Sequence, residues 1–397
     1  MYADKDYILN LRHEIHEYPE IGFDLPKTIS VVKREFDKLG IGYTEKYGES
    51  SVVATINPHK SHFTIGIRAD MDALLIEEKT DLPFKSKIKG QMHACGHDAH
   101  TAMLLGTAKA LKEMEDKIAC RVMLVFQPSE EGIRSGAEEL VKGGLMDEID
   151  IIIGLHIENW LESGKIGVCA GSSMASSRNF RLNFKGRTAH ATLPQTGADA
   201  LAAAVRTYNN IQYMLGREIN PFSNYVCSIG KLCGGTSQNI IADSAYMLGT
   251  IRTFDMELDS FIIKRIEEIA KSTASETGVE AELDTSLKAF VVYNNPHLSN
   301  LVLESAKKVS LGIQKMPKKL SSEDFSQYLT KKPGVFIRLG TRNEKKGYVT
   351  LPHNNDFLID EDAFPIGTDT CVQFVLDNMN GIDMDKVITS DERITND

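Results

Sequence analysis

A two-domain α/β protein, with a mostly parallel sheet interrupted by a smaller α+β insertion, is what this 397-residue chain predicts. Three observations carry the prediction. Apolar strand-like runs at 63–67, 121–126 and 149–155 alternate with segments of helical spacing at 99–114 and 133–141, the order in which helices cross between parallel strands. From about residue 175 the texture changes to a β-α-β-β-α-β order, that of a ferredoxin-like sandwich. From about Phe290 the first texture returns, so the middle block reads as an insertion. The length agrees, being too great for one ordinary core. The expected boundaries are 1–175 and 289–397 for the two parts of the main domain and 176–288 for the insertion.

Each element has its local reason. Asp24-Leu25-Pro26 followed by Ile29, Val32, Phe36 and Leu39 at helical spacing, then Gly40, reads as a helix with Pro near its start and Gly past its end. In the insertion, 179–184 alternates like a half-exposed strand, 198–214 is helical, 225–231 and 245–253 are strands, 260–273 is a helix and 279–287 a strand. In the returning segment 297–309 is helical, 324–329 is a short helix and 335–339 a strand, and 389–397 reads as a frayed end.

Composition narrows the function. With 42% hydrophobic and 25% charged residues the chain is globular, and a formal charge of -10 without a Lys/Arg stripe argues against a nucleic-acid partner. The first twelve residues carry Asp4, Lys5, Asp6 and Arg12, so they lack a secretory core, and no apolar run is long enough to span a bilayer. A cytoplasmic protein with no membrane partner is expected. Cysteines 95, 120, 169, 227, 233 and 371 are scattered without paired spacing, which suits reduced thiols, five of them expected as buried small hydrophobes.

The exception is Cys95. Met92-His93-Ala94-Cys95-Gly96-His97-Asp98-Ala99-His100 packs one thiol and three imidazoles together, and further ligand types follow in Gln127-Pro128-Ser129-Glu130-Glu131, Gly154-Leu155-His156 and Leu351-Pro352-His353. Thiolate, imidazole and carboxylate together suit Zn, Mn, Co or Fe rather than Ca or Mg. Cys95 and His97 are two residues apart, a spacing that converges in a turn but not on a helix face, and Gly96 frees that turn. His13, His16, His59, His62 and His297 read as ordinary core or surface histidines, while His93 and His100 stay open between orienting a ligand and touching substrate. Paired carboxylates closing an apolar strand need a reason, and Glu131 as ligand with Glu130 as proton carrier supplies one; taken alone, they would open a solvated helix. Asp70, Glu130-Glu131 and His156 all follow strands, so one sheet edge can collect them.

These strings, with Arg68-Ala69-Asp70-Met71-Asp72-Ala73-Leu74, Gly186-Arg187-Thr188-Ala189-His190-Ala191, Ser322-Glu323-Asp324-Phe325-Ser326 and Pro352-His353-Asn354, recur in this order. Together they resemble the amidohydrolase branch of the aminoacylase and carboxypeptidase G family of two-metal hydrolases, which includes hippurate hydrolase, the indole-acetyl amino acid hydrolases and N-acetyldiaminopimelate deacetylase. The resemblance implies two divalent metal ions per subunit, Mn or Zn with Co or Ni as alternatives, held by Cys95, His97, Glu131, His156 and His353. It implies Glu130 as general base, Asp70 as a supporting catalytic carboxylate, and an insertion that serves as lid and dimerisation domain. From that lid His190 is expected to reach the active site of a partner subunit in a homodimer or larger oligomer, and Asn239 and Arg252 are expected to bind substrate. The implied reaction is hydrolysis of an N-acyl amino acid, an aminobenzoyl or indole-acetyl conjugate, or a small dipeptide.

Departures from the family pattern at Tyr293-Asn294-Asn295-Pro296, Ser321-Ser322 and Ile157-Glu158-Asn159-Trp160 are expected to touch the substrate pocket. Two rivals have other chemistry. One is an inactive metal-binding scaffold of the same fold; the other is an amidase with Cys95 as nucleophile and His97 or His100 as base.

Overall fold

The computed structural model describes residues 1–60 and 62–391. They form two units, one of Met1–Ser173, Val292–Lys318 and Glu323–Asp397, the other of Met174–Val291 with Lys319–Ser322.

The larger unit is built on eight strands in the order Tyr43–Thr44, Val52–Ile56, Arg121–Gln127, Thr64–Asp70, Ile151–Glu162, Gly334–Arg342, Lys165–Val168 and Gly312–Lys315. The central four are mutually parallel, while Val52–Ile56 and Lys165–Val168 pair antiparallel to their inner neighbours. The chain leaves Thr64–Asp70 through the helix His97–Glu113 to a strand on one side, then passes through Gly136–Lys142 to a strand on the other. That reversal creates a crevice at the carboxyl ends of the central strands, where α/β sheets bind ligands.

Strand alternation gives the sheet two different faces. Ile65, Ile67, Leu124, Phe126, Ile153, Leu155, Val335 and Ile337 belong to the main hydrophobic core with the helices. Arg68, Asp70, Gln127, His156 and Arg338 take the other face, as their registers show: Asp70 lies opposite Gln127, and Arg338 opposite His156. All five are buried.

Helix Pro26–Leu39 begins at its proline and ends on Gly40 in the left-handed region, as its punctuation predicts. Three helices escaped the periodicity reading, Lys5–His16, Phe364–Asn378 and Met384–Thr389, and the first two pack on His97–Glu113. The expected helix at 133–141 starts later, at Gly136, because the Ser135 hydroxyl accepts from the Glu138 N–H and caps it there. Thr389, expected to be frayed, closes the helix Met384–Thr389, whose cap is Asp383; 392–397 lie outside the described residues.

The smaller unit has the β-α-β-β-α-β order, with antiparallel strands arranged Tyr225–Gly234, Ser244–Thr253, Ser177–Lys185, Glu280–Ala289. Helices Ala200–Arg217 and Met256–Thr277 are N-capped by Asp199 and Asp255 and share with the sheet a core of Phe180, Leu182, Phe184, Met247, Ile251, Ile262 and Ile266. All six cysteines are free. Cys227 and Cys233 are half-buried rather than buried, because their strand lies at the sheet edge. Among the described residues no helix is long and apolar enough to cross a membrane.

Candidate metal centre

Cys95 and His97 straddle the start of a helix. Gly96 between them sits at φ +85°, and a Cβ there would meet the Ile157 side chain at 2.4 Å, so the turn demands glycine twice over. His97 is the first helical residue, and the Cys95 Sγ faces the His156 Nε2 at 3.4 Å.

Hydrogen bonds fix the imidazoles. The His156 Nδ1 lies 2.6 Å from the Ile157 carbonyl, which can only accept, so Nδ1 carries the proton and Nε2 keeps a lone pair toward Cys95. The His100 Nε2 accepts from the Ile157 N–H (3.0 Å), so its Nδ1 donates to Asp70 Oδ1 (2.5 Å). His100 therefore has both nitrogens occupied and orients Asp70. His97 is wholly buried, yet neither ring nitrogen makes a well-aligned hydrogen bond; Asp72 Oδ1 is 3.4 Å from Nδ1 and Asp70 Oδ2 is 3.7 Å from Nε2. His93 is equally buried and also lacks partners for both nitrogens, and burial pushes its pKa down to about 3.

Glu130 and Glu131 do not open a helix. They follow Ser129, which is held at φ +51°, and their backbone N–H groups donate to Asp72 Oδ1 (3.0 Å) and Oδ2 (3.1 Å). Glu131 Oε1 lies 2.9 Å from the His353 Nε2. His353 is at φ +66°, and its N–H donates to the Ala94 carbonyl (2.8 Å), which pins it beside the cysteine turn. Non-glycine residues in this region are uncommon and concentrate at functional sites.

Five donor groups, each within 4.8 Å, occur among the described residues; besides Asp70, His97 and His100, where His100 has both nitrogens occupied, and Glu130, Glu323 and Asp324, they are Cys95, His97 and His156; Cys95, Glu131 and His353; and His97, Glu130 and Glu131. The last three carry the metal reading. They overlap at Cys95, His97 and Glu131, the pattern expected of two adjoining cation positions. The donor chemistry fits, since a thiol, imidazoles and carboxylates favour transition-type divalent ions and a buried His97 without hydrogen bonds calls for an electrophile. Burial, reinforced by Glu131, pushes the Cys95 thiol up, so without a cation it is a poor thiolate nucleophile.

Behind the donors, the buried Arg68 uses its whole guanidinium fork. It donates to Gln127 Oε1 (2.8 Å), Asp70 Oδ2 (2.7 Å), Glu323 Oε1 (3.0 Å) and Asp324 Oδ1 (2.9 Å). Asp324 also accepts from Gln127 and from the Ser135 hydroxyl. Burial pushes the Glu323 carboxyl up to about 7 even against Arg68, and burial with Glu323 and Glu131 nearby raises Glu130 as well. Glu130, Glu323 and Asp324 lie within 4.8 Å of one another.

Of the residues expected in the site, Asp70, Cys95, His97, Glu130, Glu131, His156 and His353 come together here. His190, Asn239 and Arg252 belong to the smaller unit. There His190 pairs with Ile240, Asn239 accepts through its carbonyl from the Ala191 N–H, and Arg252 donates to the Ser322 hydroxyl (2.8 Å). Thr192 N–H donates to the His190 Nδ1, which leaves its proton on the exposed Nε2.

The departures from the family pattern divide. Asn294 is buried and ties Cys169 and Phe336 backbones together, and Asn295 caps the helix Pro296–Lys307, so these two are structural rather than pocket residues. Asn159 is likewise buried and anchors the Thr350 and Leu358 carbonyls, whereas Trp160 beside it is 67% exposed. Sequence reasoning gave no role to Arg68, Asp72, Glu323 or Asp324. Their one signal was residence in the quoted strings, beside strand ends.

Comparison with known proteins agrees with this geometry. The profile of peptidase family M20/M25/M40 matches residues 66–377. Thermostable carboxypeptidase 1 of Saccharolobus solfataricus is 37% identical, over 91% of this chain and 93% of its own. IAA-amino acid hydrolase ILR1-like 4 of Arabidopsis thaliana is 36% identical, over 91% and 83%. The crystal structure of a dinuclear metal-binding M20 peptidase from Bacillus subtilis superimposes with a TM-score of 0.83 at 31% identity, covering 95% of this chain and 99% of that one. The chain therefore belongs to peptidase family M20/M25/M40 and is a hydrolase acting on amide bonds.

Proposed function

We propose that the protein hydrolyses the amide bond of N-acyl amino acids, or of closely related conjugates and small dipeptides, to a carboxylate and a free amino acid. The reading rests on the overlapping donor groups around Cys95, His97, Glu131, His156 and His353, with the Glu130 carboxyl directly beside them. The IAA-amino acid hydrolase and carboxypeptidase relatives support the substrate class.

Two divalent cations, Mn or Zn before Co or Ni, would supply Lewis acidity to the scissile carbonyl and to the attacking water. Glu130 takes a proton from that water as its oxygen bonds to the carbonyl carbon, then returns it to the nitrogen as the C–N bond breaks. Burial and its carboxylate neighbours push the Glu130 carboxyl up, the direction that helps it keep the proton between the two steps, and beside the two cations it would be drawn back toward the carboxylate that accepts it. Asp70, fixed by Arg68 and His100, is the supporting catalytic carboxylate in this reading. In this reading the smaller unit is lid and dimer contact, Asn239 and Arg252 hold substrate, and His190 of the partner subunit donates its Nε2 proton to the developing oxyanion. Six free cysteines support a reducing, cytoplasmic compartment.

Purified protein loaded with Mn or Zn is assayed on N-acetyl, N-benzoyl and aminobenzoyl amino acids and short peptides. Glu130→Gln is expected to keep two metals per subunit and lose roughly 10²–10⁴-fold in kcat; His353→Ala is expected to lose metal as well. Wild-type turnover in Glu130→Gln refutes the role of Glu130. Chelation separates the rivals, because a Cys95 thiol amidase would survive it, and a loaded wild type inert across the whole panel would favour the inactive scaffold.

A further inference from the structure

We infer that Asp72 is a positioning residue that makes Glu130 and Glu131 diverge, one toward proton transfer and the other toward the metals. The inference rests on the functional reading above and adds a residue to it.

The reason lies in the backbone. After Thr64–Asp70 ends, the chain turns through Met71 and Asp72, and Leu74 then exchanges both of its backbone hydrogen bonds with Met92 (3.0 Å each), three residues before Cys95. Asp72 is thus carried on a segment clipped to the cysteine turn. From there its carboxylate, 1% exposed, reaches a different part of the chain and accepts the consecutive N–H groups of Glu130 and Glu131, one on each oxygen. Oδ1 is also the atom 3.4 Å from the His97 Nδ1. One side chain therefore touches the backbone of the base, the backbone of one candidate ligand and the ring of another.

Two successive N–H groups point the same way only in a tight turn, and Ser129 at φ +51° enters it. In an extended strand the side chains of neighbours simply alternate; here both are directed into one crevice yet toward different partners. Both come within 4.8 Å of His97, but beyond that shared partner Glu131 groups with Cys95 and His353, and Glu130 with Glu323 and Asp324. A two-oxygen acceptor holds that geometry. An amide at position 72 keeps one acceptor and presents an NH₂ to the other N–H, so half of the clasp opens.

Two measurements test this. In metal-free wild-type protein, hydrogen exchange of the peptide spanning 128–134 is expected to show two protected amides, assigned to Glu130 and Glu131; exchange of the whole peptide at open-loop rates overturns the inference. In Asp72→Asn, with folding checked by circular dichroism, Co(II) is titrated and the thiolate-to-cobalt absorption followed. Affinity is expected to fall roughly 10–100-fold. At saturating metal, kcat is expected to stay depressed by a similar factor, with KM within about threefold of wild type. A kcat fully restored by excess metal overturns it, since Asp72 would then serve His97 alone, and so does a wild-type kcat. Should the variant fail to fold or to load, the exchange result decides. Should wild type lack amidase activity altogether, the functional reading fails while the exchange and cobalt readouts still judge the clasp.

Discussion

On one face of the eight-stranded sheet Ile67, Leu124, Ile153 and Ile337 bury hydrocarbon against helices; on the other, at equal depth, Arg68, Asp70, Gln127 and His156 bury charge and hydrogen bonds. The first face is held by burial alone, which is non-directional and tolerant of similar shapes. The second is held by directional contacts, each of which leaves an uncompensated group if its partner goes. Chemistry is thus confined to alternate residues of the same strands while both faces contribute stability, and substitutions one position apart should fail in different ways.

Arg68→Met should have the largest effect. It strands Asp70, Glu323 and Asp324 in the interior and is expected to destabilise by about 3–5 kcal/mol, read by chemical denaturation of the metal-free protein. Adding Glu323→Gln, which removes one of the stranded charges, should recover part of that loss; no recovery would mean that Arg68 acts by packing alone. Leu124→Ala, on the opposite face of the adjacent strand, should cost about 2–5 kcal/mol through its cavity. Its folded fraction should nevertheless turn over substrate at the wild-type kcat, and a depressed kcat would break the separation of the two faces.

A subtler effect is pH-dependent. Glu323 ionises near 4.5 in an unfolded chain and near 7 when buried, so between those values the folded state retains a proton that the unfolded state has released. Its contribution is full below about pH 4.5 and is lost as pH rises toward 7, with a slope of up to about 1.4 kcal/mol per pH unit. Denaturation of metal-free protein from pH 4.5 to 7.5 should therefore show wild type losing stability relative to Glu323→Gln; parallel curves would place Glu323 in a more polar setting than its burial indicates.

The two faces also differed in how far they could be read from sequence. Apolar runs such as 121–126 announced strands, because a strand buried on both sides is hydrophobic almost throughout. Cys95 and His97 stood out because a thiol and an imidazole flanking a glycine have few purely structural uses, whereas Glu130, Glu131, His156 and His353 took their roles from that cluster and from the family resemblance. Arg68 and Asp72 did not stand out. An arginine in a strand and an aspartate after it look like solvated residues until the partners that bury them are known, and Glu323 lies 255 positions from Arg68. Asn294 and Asn295 erred the other way: their departure from the family pattern suggested a pocket, but their amides are spent on backbone groups.

By itself the sequence determined what depends on neighbours along the chain: the alternation of strands and helices, the helix ends at Pro26 and Gly40, and the donor types gathered around Gly96. Tertiary structure alone decided which tautomers His100 and His156 hold, that His100 orients while His156 offers a lone pair, and that Asp72 binds two amides from a loop 58 and 59 positions away. Local pattern reports the periodicity of burial, whereas a hydrogen bond depends on where two distant segments meet.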